Sequence, residues 1–518
     1  MEGIFADSPI ETREEIGQGP NAVFQFWMQQ LKLSEREQRS FIQRGRRIVS
    51  RYRASRPQSG KQNARFNILW SNVETLKPIL YGRTPKPDVS QRYRNDDPVS
   101  RLGAEILQRA IGYEDDMDEF TEEMLRVVED KLLPGRGVAR VFYEADFGEP
   151  EDDPDAEQDE EGNTPQFSPV EGERAPVRYV FWEDYRESPA RTWREVWWVG
   201  FRAYKTRDEL VSRFGPKIGK AVTLDYTPKG LGEEALEGPQ ADAFKKAEVW
   251  EVWDKRRQEV VWIAPSYTEG PLDKKPDPLR LPGFFPSPRP LLATTTNDTQ
   301  IPVADYIEYQ DQAIELDILT ARIDKLTGAL KVAGLYAGVG KAEIQQLVSD
   351  DSKENQLIPV EDWQAYVDKG GLQNMIMWLP VEQIAKVLIQ LYDARDRVLR
   401  TLYQITGMAD ILRGETDPNE TLGAQQLKSQ FATRRLTQQQ KDVARFARDL
   451  MRLRAHVMAQ HFSPETLGKM SGLPNPLPAL PDPPPMMVPA PPPQSMPQQP
   501  PQGAPMGHNG GPPMAVGQ

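Results

Sequence analysis

Cysteine is absent from all 518 residues. Disulfides, thiolate metal sites and cysteine nucleophiles are thereby excluded. Histidine is nearly absent, with only His456, His461 and His508. His508 lies in a low-complexity stretch. His456 and His461 are five apart, so they do not share a helix face as an i, i+4 metal pair would, and two solvated helix residues are expected. Ser-His-Asp chemistry has almost no material to work with. No Gly-x-x-x-x-Gly-Lys-Ser/Thr loop occurs, which argues against a P-loop ATPase. Carboxylate pairs occur in Arg207-Asp208-Glu209-Leu210 and Glu151-Asp152-Asp153-Pro154-Asp155. The first is a capping turn and the second a flexible loop, and neither holds a nuclease metal rigidly. No apolar run reaches the ~18 residues that span a bilayer. The stretch Met1 to Asp7 has neither a basic head nor an apolar core, so it does not read as a signal peptide. These absences point to an intracellular soluble protein with no enzyme activity and no cofactor.

What is present is length and charge. The chain can bury a sizeable core, and the soft prior is about three domains. Acidic residues outnumber basic ones by 77 to 64, for a net charge of −13. Tight wrapping of nucleic acid rests on cationic neutralisation of phosphates and is disfavoured, whereas a wall past which DNA slides is compatible.

Taken in order, residues 1–19 read as a flexible N-terminus and Asn21 to Arg53 as helical, with Ser34-Glu35-Arg36-Glu37 as the capping box that opens the helix. Its end is basic (Arg44, Arg46, Arg47, Arg51, Arg53, Arg56), either a solvated face or a contact for DNA or an acidic neighbour. Helices are expected over Asn67–Leu80, from the Asp97-Pro98 cap to Tyr113, and over Phe120–Leu132, with a strand from Gly137 to Glu144. Residues 147–175 hold a strongly acidic, proline-containing run expected to stay mobile. Strands return over 177–201, and Thr206 to Glu209 caps a short helix that stops before Gly215-Pro216. The segments KKAEVWEVWD and QEVVWIA form a hairpin pattern. Trp182, Trp193, Trp197, Trp198, Trp250, Trp253 and Trp262 fall in this region. They could stack single-stranded nucleic acid, but aromatics on strands with acidic neighbours read better as core. Residues 265–290 read as a Pro-rich spacer over the surface. The class is α+β and mainly helical.

The chain then becomes helical. Val303 to Leu330 is a long helix whose apolar stripe includes Ile307, Ile314, Ile318 and Leu319. A glycine-punctuated module of about 45 residues, 335–378, separates it from a second long helix ending at Thr406. Gly407 occupies the left-handed position that ends helices. After a Gly- and Pro-containing loop, a proline-free helix runs from Glu420 to His461, about 60 Å at ~1.5 Å per residue. A helix so long suggests an elongated subunit packed against copies of itself rather than one wrapped by a small core. Arg434, Lys441, Arg445, Arg448 and Arg452 recur on one of its faces. A solvated or ion-paired face is one reading, and a basic collar against DNA is the other. Residues 471–518 are rich in Pro, Gln, Gly and Met and cannot bury a core.

The segment ITGMADILRGETDPNETLGAQQLKSQFATRRL resembles the C-terminal half of tailed-bacteriophage portal proteins, which pair a Thr/Ser-Gly-x-x-Asp helix end with a Glu-Thr-x-x-Ala-type helix start. FNILWSNVETLKPILYGRTPKPDV and LLPGRGVARVFYE resemble earlier portal segments in the same order, so the likeness covers roughly residues 20 to 465. The resemblance implies an elongated subunit of a homo-oligomeric ring, a dodecamer, at one capsid vertex. Residues 20–300 would be the wing, 303–330 and 380–406 the stem helices, 331–379 the clip, 407–419 the tunnel loop and 420–465 a wing and crown helix. Met408, Asp410, Arg413 and Glu415 become candidates to line the DNA channel. The implied partners are double-stranded DNA passing non-specifically, terminase, major capsid or scaffold protein, and head–tail adaptors, in the virion and in the host cytoplasm during assembly. Some relatives carry an extended helical barrel where this chain has a Pro-rich tail, which puts a barrel in doubt. A nucleic-acid-processing enzyme and a monomeric virion scaffold or adaptor remain as alternatives.

Overall fold

A computed structural model describes residues 19–55, 64–91, 97–149, 151–152, 166–227, 244–329, 334–336, 376–378, 381–407 and 422–473. They form a mainly helical α+β structure.

Helix α1 (Pro20–Tyr52) starts with proline in its first turn, where no intrahelical N–H is required. Ser34 does not open it. The serine lies in the middle of α1, buried, and its hydroxyl donates to the Glu187 carbonyl at 2.8 Å. A tertiary acceptor has taken the side chain that a cap would have used. Helix α2 (Ile68–Leu80) is capped by Asn67, and α3 (Pro98–Met117) by Asp97, which accepts from the N–H groups of Val99 and Ser100. Helix α4 (Phe120–Leu132) leads into β1 (Arg136–Val141).

Strands occupy part of the run read as one mobile insertion: β2 (Glu144–Phe147), β3 (Glu151–Asp152), β4 (Gln166–Phe167) and β5 (Val170–Arg174). β2 pairs with β5 and β3 with β4, both antiparallel. Residues 153–165 lie outside the described residues. Then come β6 (Val177–Val180), β7 (Tyr185–Glu187) and β8 (Trp198–Lys205). Helix α5 (Arg207–Ala221) has the expected Thr206–Glu209 capping box but does not stop before Gly215. It kinks there, at a glycine with φ 82°, and continues to Ala221. β9 (Ala247–Asp254) and β10 (Glu259–Ile263) are the expected hairpin. β11 (Asp273–Pro276) extends it, so the segment 265–290 is not a surface spacer. Leu272, Leu279, Leu281, Phe284 and Phe285 within it are buried, because the prolines separate apolar residues that still need cover.

Strands β7 to β11 form one antiparallel sheet in chain order, and β12 (Leu291–Leu292) joins β1 and β6 in a second. Side chains alternate across the larger sheet. On one face Trp198, Trp250, Val252, Val261 and Ile263 meet Phe24, Trp27 and Leu31 of α1. On the other, Val199, Phe201, Trp253 and Val260 join the main core, while Ala247 and Val249 meet Leu210 of α5. The tryptophans are therefore core: Trp182, Trp198, Trp250 and Trp253 are buried, and Trp193, Trp197 and Trp262 half-buried.

A 3₁₀ turn, Asp305–Tyr309, precedes α6 (Gln310–Ala329). β13 (Gly334–Tyr336) and β14 (Ile376–Trp378) pair antiparallel, and the rest of the module between the long helices lies outside the described residues. Helix α7 (Val381–Thr406) ends at Gly407, whose φ of 70° is the left-handed conformation expected there. Helix α8 (Leu422–His461) runs unbroken for 40 residues. Its C-terminal half is not left for sister molecules. Val443, Phe446, Ala447, Leu450, Met451, Val457 and Met458 enter the main core, because the helix lies across α2, α3 and β1. Helix α9 (Pro464–Ser471), capped by Ser463 and ended by Gly472, packs on α3 and was not expected.

One contact is steric to the limit. A Cβ on Gly137 in β1 would fall 2.1 Å from the Val127 carbonyl oxygen of α4. Gly103, on an exposed part of α3, has nothing within 4 Å of that position. Gly137→Ala is expected to destabilise the protein by about 3 kcal/mol through overpacking against backbone. Gly103→Ala should stabilise it slightly, by about 1 kcal/mol or less. Urea midpoints of the two variants check the contrast, and equal shifts would count against it.

Candidate functional site

Three features stand out: the α6–α7 pair, the junction where α7 gives way to α8, and the charged residues of α8.

Helix α6 buries Ala313, Leu316, Leu319 and Ile323, three or four residues apart. Leu319 and Ile323 pack with Leu391 of α7, flanked by Leu326, Ala394 and Val398. The stripe read from the sequence is thus split. Leu319 faces inward, but Ile314 and Ile318 are 51% and 55% exposed on the opposite side of α6. On α7, Ile389 is 62% exposed and Tyr392 38% exposed, on the side away from Leu391, Val398 and Leu402. Among the described residues, the three isoleucines stay exposed, while Arg395 lies over the Tyr392 ring. A buried-edge ion pair holds α6 to the N-terminal helix: Arg51 donates to Asp317, whose other oxygen accepts from the Phe66 N–H at 3.0 Å.

At the junction, the Gly407 N–H donates to the Tyr403 carbonyl at 2.9 Å, and Arg435 of α8 donates to the Ile405 carbonyl at 3.1 Å. The last turn of α7 is thereby capped by a cation, as the helix dipole favours. A cavity of about 380 Å³ opens beside it, lined by α2, the 3₁₀ turn and both helices. Asp305, Glu308 and Thr406 supply polar walls, and Leu76, Tyr309 and Leu436 apolar ones. Lys131 of α4, buried behind it, lies 3.7 Å from Asp305. Burial draws its pKa down, opposed by Asp305 and Asp442. The channel candidates Met408, Asp410, Arg413 and Glu415 lie outside the described residues.

Along α8, Arg434, Lys441, Arg448 and Arg452 are exposed and Arg445 half-buried. The row is not purely cationic: Arg445 and Arg448 both reach Asp449, at 3.4 and 2.8 Å. His461 is not solvated as expected. Its ring packs on Tyr143, centroids 5.2 Å apart, with Nε2 3.1 Å from the Leu279 carbonyl oxygen. Half-buried His456 has its pKa lowered by burial and then by Arg452.

The strongest charge cluster is one that residue spacing had not singled out. Arg454 is fully buried, over the Phe120 ring. It donates to the Ala175 carbonyl at 2.9 Å and to Asp115 and Asp118 of α3. Asp118 also accepts from the Val177 N–H at 2.7 Å and from Arg178. A signal existed in the sequence: Arg454 lies on the apolar face of α8, between Leu450 and Val457, where a cation requires partners. Burial pushes the Asp115 carboxyl up to about 6, opposed by Arg454 and reinforced by Asp116 and Asp118. Burial likewise raises Glu114.

Among the described residues, no group of three or more His, Cys, Asp or Glu is placed to hold a metal ion. No described helix is long and apolar enough to cross a membrane. No protein-family model matches the chain, and no curated protein sequence matches it.

A pH dependence follows from Asp115. Its carboxyl is harder to ionise folded than unfolded, so the folded state holds the extra proton between roughly pH 4 and 6. Stability should therefore fall as pH rises through that window, by up to about 1.4 kcal/mol per pH unit for this group. Asp115→Asn, a near-isostere of the protonated carboxyl, should stay close to wild-type stability at pH 5 and should show a shallower fall between pH 4.5 and 7. Urea titrations at both ends measure the slope, and identical slopes would reject the assignment.

Proposed function

We propose that this chain is a non-enzymatic ring subunit, a portal protein of a tailed bacteriophage. Copies would surround a channel at one capsid vertex through which double-stranded DNA is packaged and ejected. The observation that carries the reading is the exposure, among the described residues, of Ile314 and Ile318 on α6 and Ile389 on α7. Two antiparallel helices with exposed isoleucines away from their mutual contact suit a stem that packs on the same pair in the next copy. A head-to-tail contact of this kind closes into a ring when its rotation divides a full turn. Each isoleucine buried there contributes about 1 kcal/mol from its half-exposed state, multiplied around the ring.

On this reading residues 20–300 are the wing, 303–330 and 380–406 the stem, 331–379 the clip, 407–419 the tunnel loop and 420–465 the wing and crown helix. Met408, Asp410, Arg413 and Glu415 line the channel as weak contacts repeated by symmetry, and no residue catalyses a reaction. Terminase, capsid or scaffold protein and head–tail adaptors are the partners, and the virion is the location. The net charge of −13 agrees with a wall that does not hold DNA tightly.

Light scattering and electron microscopy of the full chain at high concentration test the reading. A mass near twelve times 58.8 kDa, or rings in the images, is expected. Wild-type protein that stays monomeric in both, and is absent from the vertices of assembled particles, would overturn it. Ile314→Lys with Ile318→Lys should leave the monomer folded, by an unchanged melting curve, and abolish the ring species. Arg413→Glu should assemble normally and change the length or retention of packaged DNA.

A further inference from the structure

The outer face of α1 carries a row of cations that the ring reading does not use. Lys32, Arg36, Arg39 and Arg47 are all exposed. At 3.6 residues per turn they lie on one side of the helix, opposite the buried row Phe24, Trp27, Leu31, Phe41, Ile42 and Ile48. Among the described residues none of the four has an ion-pair or hydrogen-bond partner. Arg46, at the edge of the row, is already held by Glu183 through both carboxylate oxygens. Glu35 and Glu37 lie on the flanks of the row rather than within it. Lys32 to Arg47 spans roughly 22 Å of helix. In a chain of net charge −13, a face this basic is a local inversion.

The same chain contains a segment of opposite charge. Residues 153–161 hold six carboxylates in nine positions: Asp153, Asp155, Glu157, Asp159, Glu160 and Glu161. Fully extended, nine residues reach about 30 Å, enough to run along the basic row. The strands that flank this segment pair with each other next to the last residue of β1. Strand β1 meets α1 at its first residue, where Arg136 donates to Gln38 at 3.0 Å. Its other end, Val141, leads into β2 about 17 Å away at strand rise. There the β2–β5 pair is fastened to the far end of the chain, because Glu173 accepts from the Ser463 N–H at 2.6 Å and from Tyr143 at 2.8 Å. The described strands β2 and β5, which flank the acidic segment in the chain, thus lie beyond the end of β1 that is away from its contact with α1.

We propose that the Lys32–Arg36–Arg39–Arg47 face of α1 is a docking surface for the acidic segment 153–161 of a second copy. The contact is electrostatic and exposed, so it acts as a salt-sensitive guide to which copies meet and in what register rather than as the main source of affinity. It rests on self-association of the chain and is indifferent to whether DNA passes through the assembly.

The test uses the full chain and a fluorescent, end-blocked peptide of residues 149–163, read by anisotropy at low and high salt. Binding to wild-type protein is expected, with loss at high salt. Arg36→Glu with Arg39→Glu should weaken it roughly tenfold or more. Lys217→Glu with Lys220→Glu, the same charge change on α5, should leave it unchanged. A peptide with its carboxylates replaced by amides should not bind. All four substituted positions are exposed, so melting curves should match wild type. Peptide binding indifferent to Arg36 and Arg39 would overturn the proposal. So would a short DNA duplex that binds with dependence on those two arginines while the peptide does not bind. Because a single copy suffices to bind the peptide, this outcome is separable from the mass measurement that tests the ring.

Discussion

The guanidinium of Arg454 decides how the last long helix meets the rest of the fold. It is fully buried and donates to Ala175, Asp115 and Asp118, while Asp118 also holds the start of β6 through Val177 and Arg178. A buried ion cluster is weak evidence for net stability, since desolvation offsets much of the attraction. Its directional contribution is clearer. The burial of the apolar row from Val443 to Met458 is non-directional and does not by itself fix a register. Arg454 does, because a displaced guanidinium would lose all three acceptors inside the core. The register of α8 against α3 and β6 therefore follows from one cation and its partners.

That register sets the positions of the remaining candidates. With the inner side of α8 committed to the core, Arg434, Lys441, Arg445, Arg448 and Arg452 point outward. Arg435 reaches the final turn of α7 and caps it, which fixes where the chain leaves Gly407. Helix α7 in turn holds α6 through Leu391, with Arg51 and Asp317 binding α6 to α1. The two helices that support the ring reading are thus positioned by contacts on one side, and among the described residues Ile314, Ile318 and Ile389 on the other side are exposed.

Caps, hairpins and helix ends were legible residue by residue. Asp97, the Thr206–Glu209 box and Gly407 act locally, so a window of a few residues carries their meaning. The pattern failed where a distant partner outbid a local one. Ser34 had a capping signature, yet the Glu187 carbonyl 153 positions away holds its hydroxyl. Residues 265–290 had the prolines of a spacer, yet Phe284 and Phe285 sit in the core. Periodicity on α6 found apolar residues but could not say that Leu319 faces α7 while Ile314 and Ile318 do not. Of the candidate site, the outward row on α8 was visible as spacing, whereas the buried cluster around Arg454 depends on α3, which is more than 330 positions away.

By itself the sequence determined the mainly helical α+β class, the alternating faces of the β9–β10 hairpin, the end of α7 at Gly407 and the unbroken run of α8. Each of these rests on backbone sterics, capping or periodicity within one element. Only the tertiary structure decided which apolar side of α6 is covered, which arginine of α8 is buried and which cations on α1 stay unpaired. Those outcomes depend on which elements come to lie side by side, and burial and charge pairing are properties of that neighbourhood rather than of any single stretch of chain.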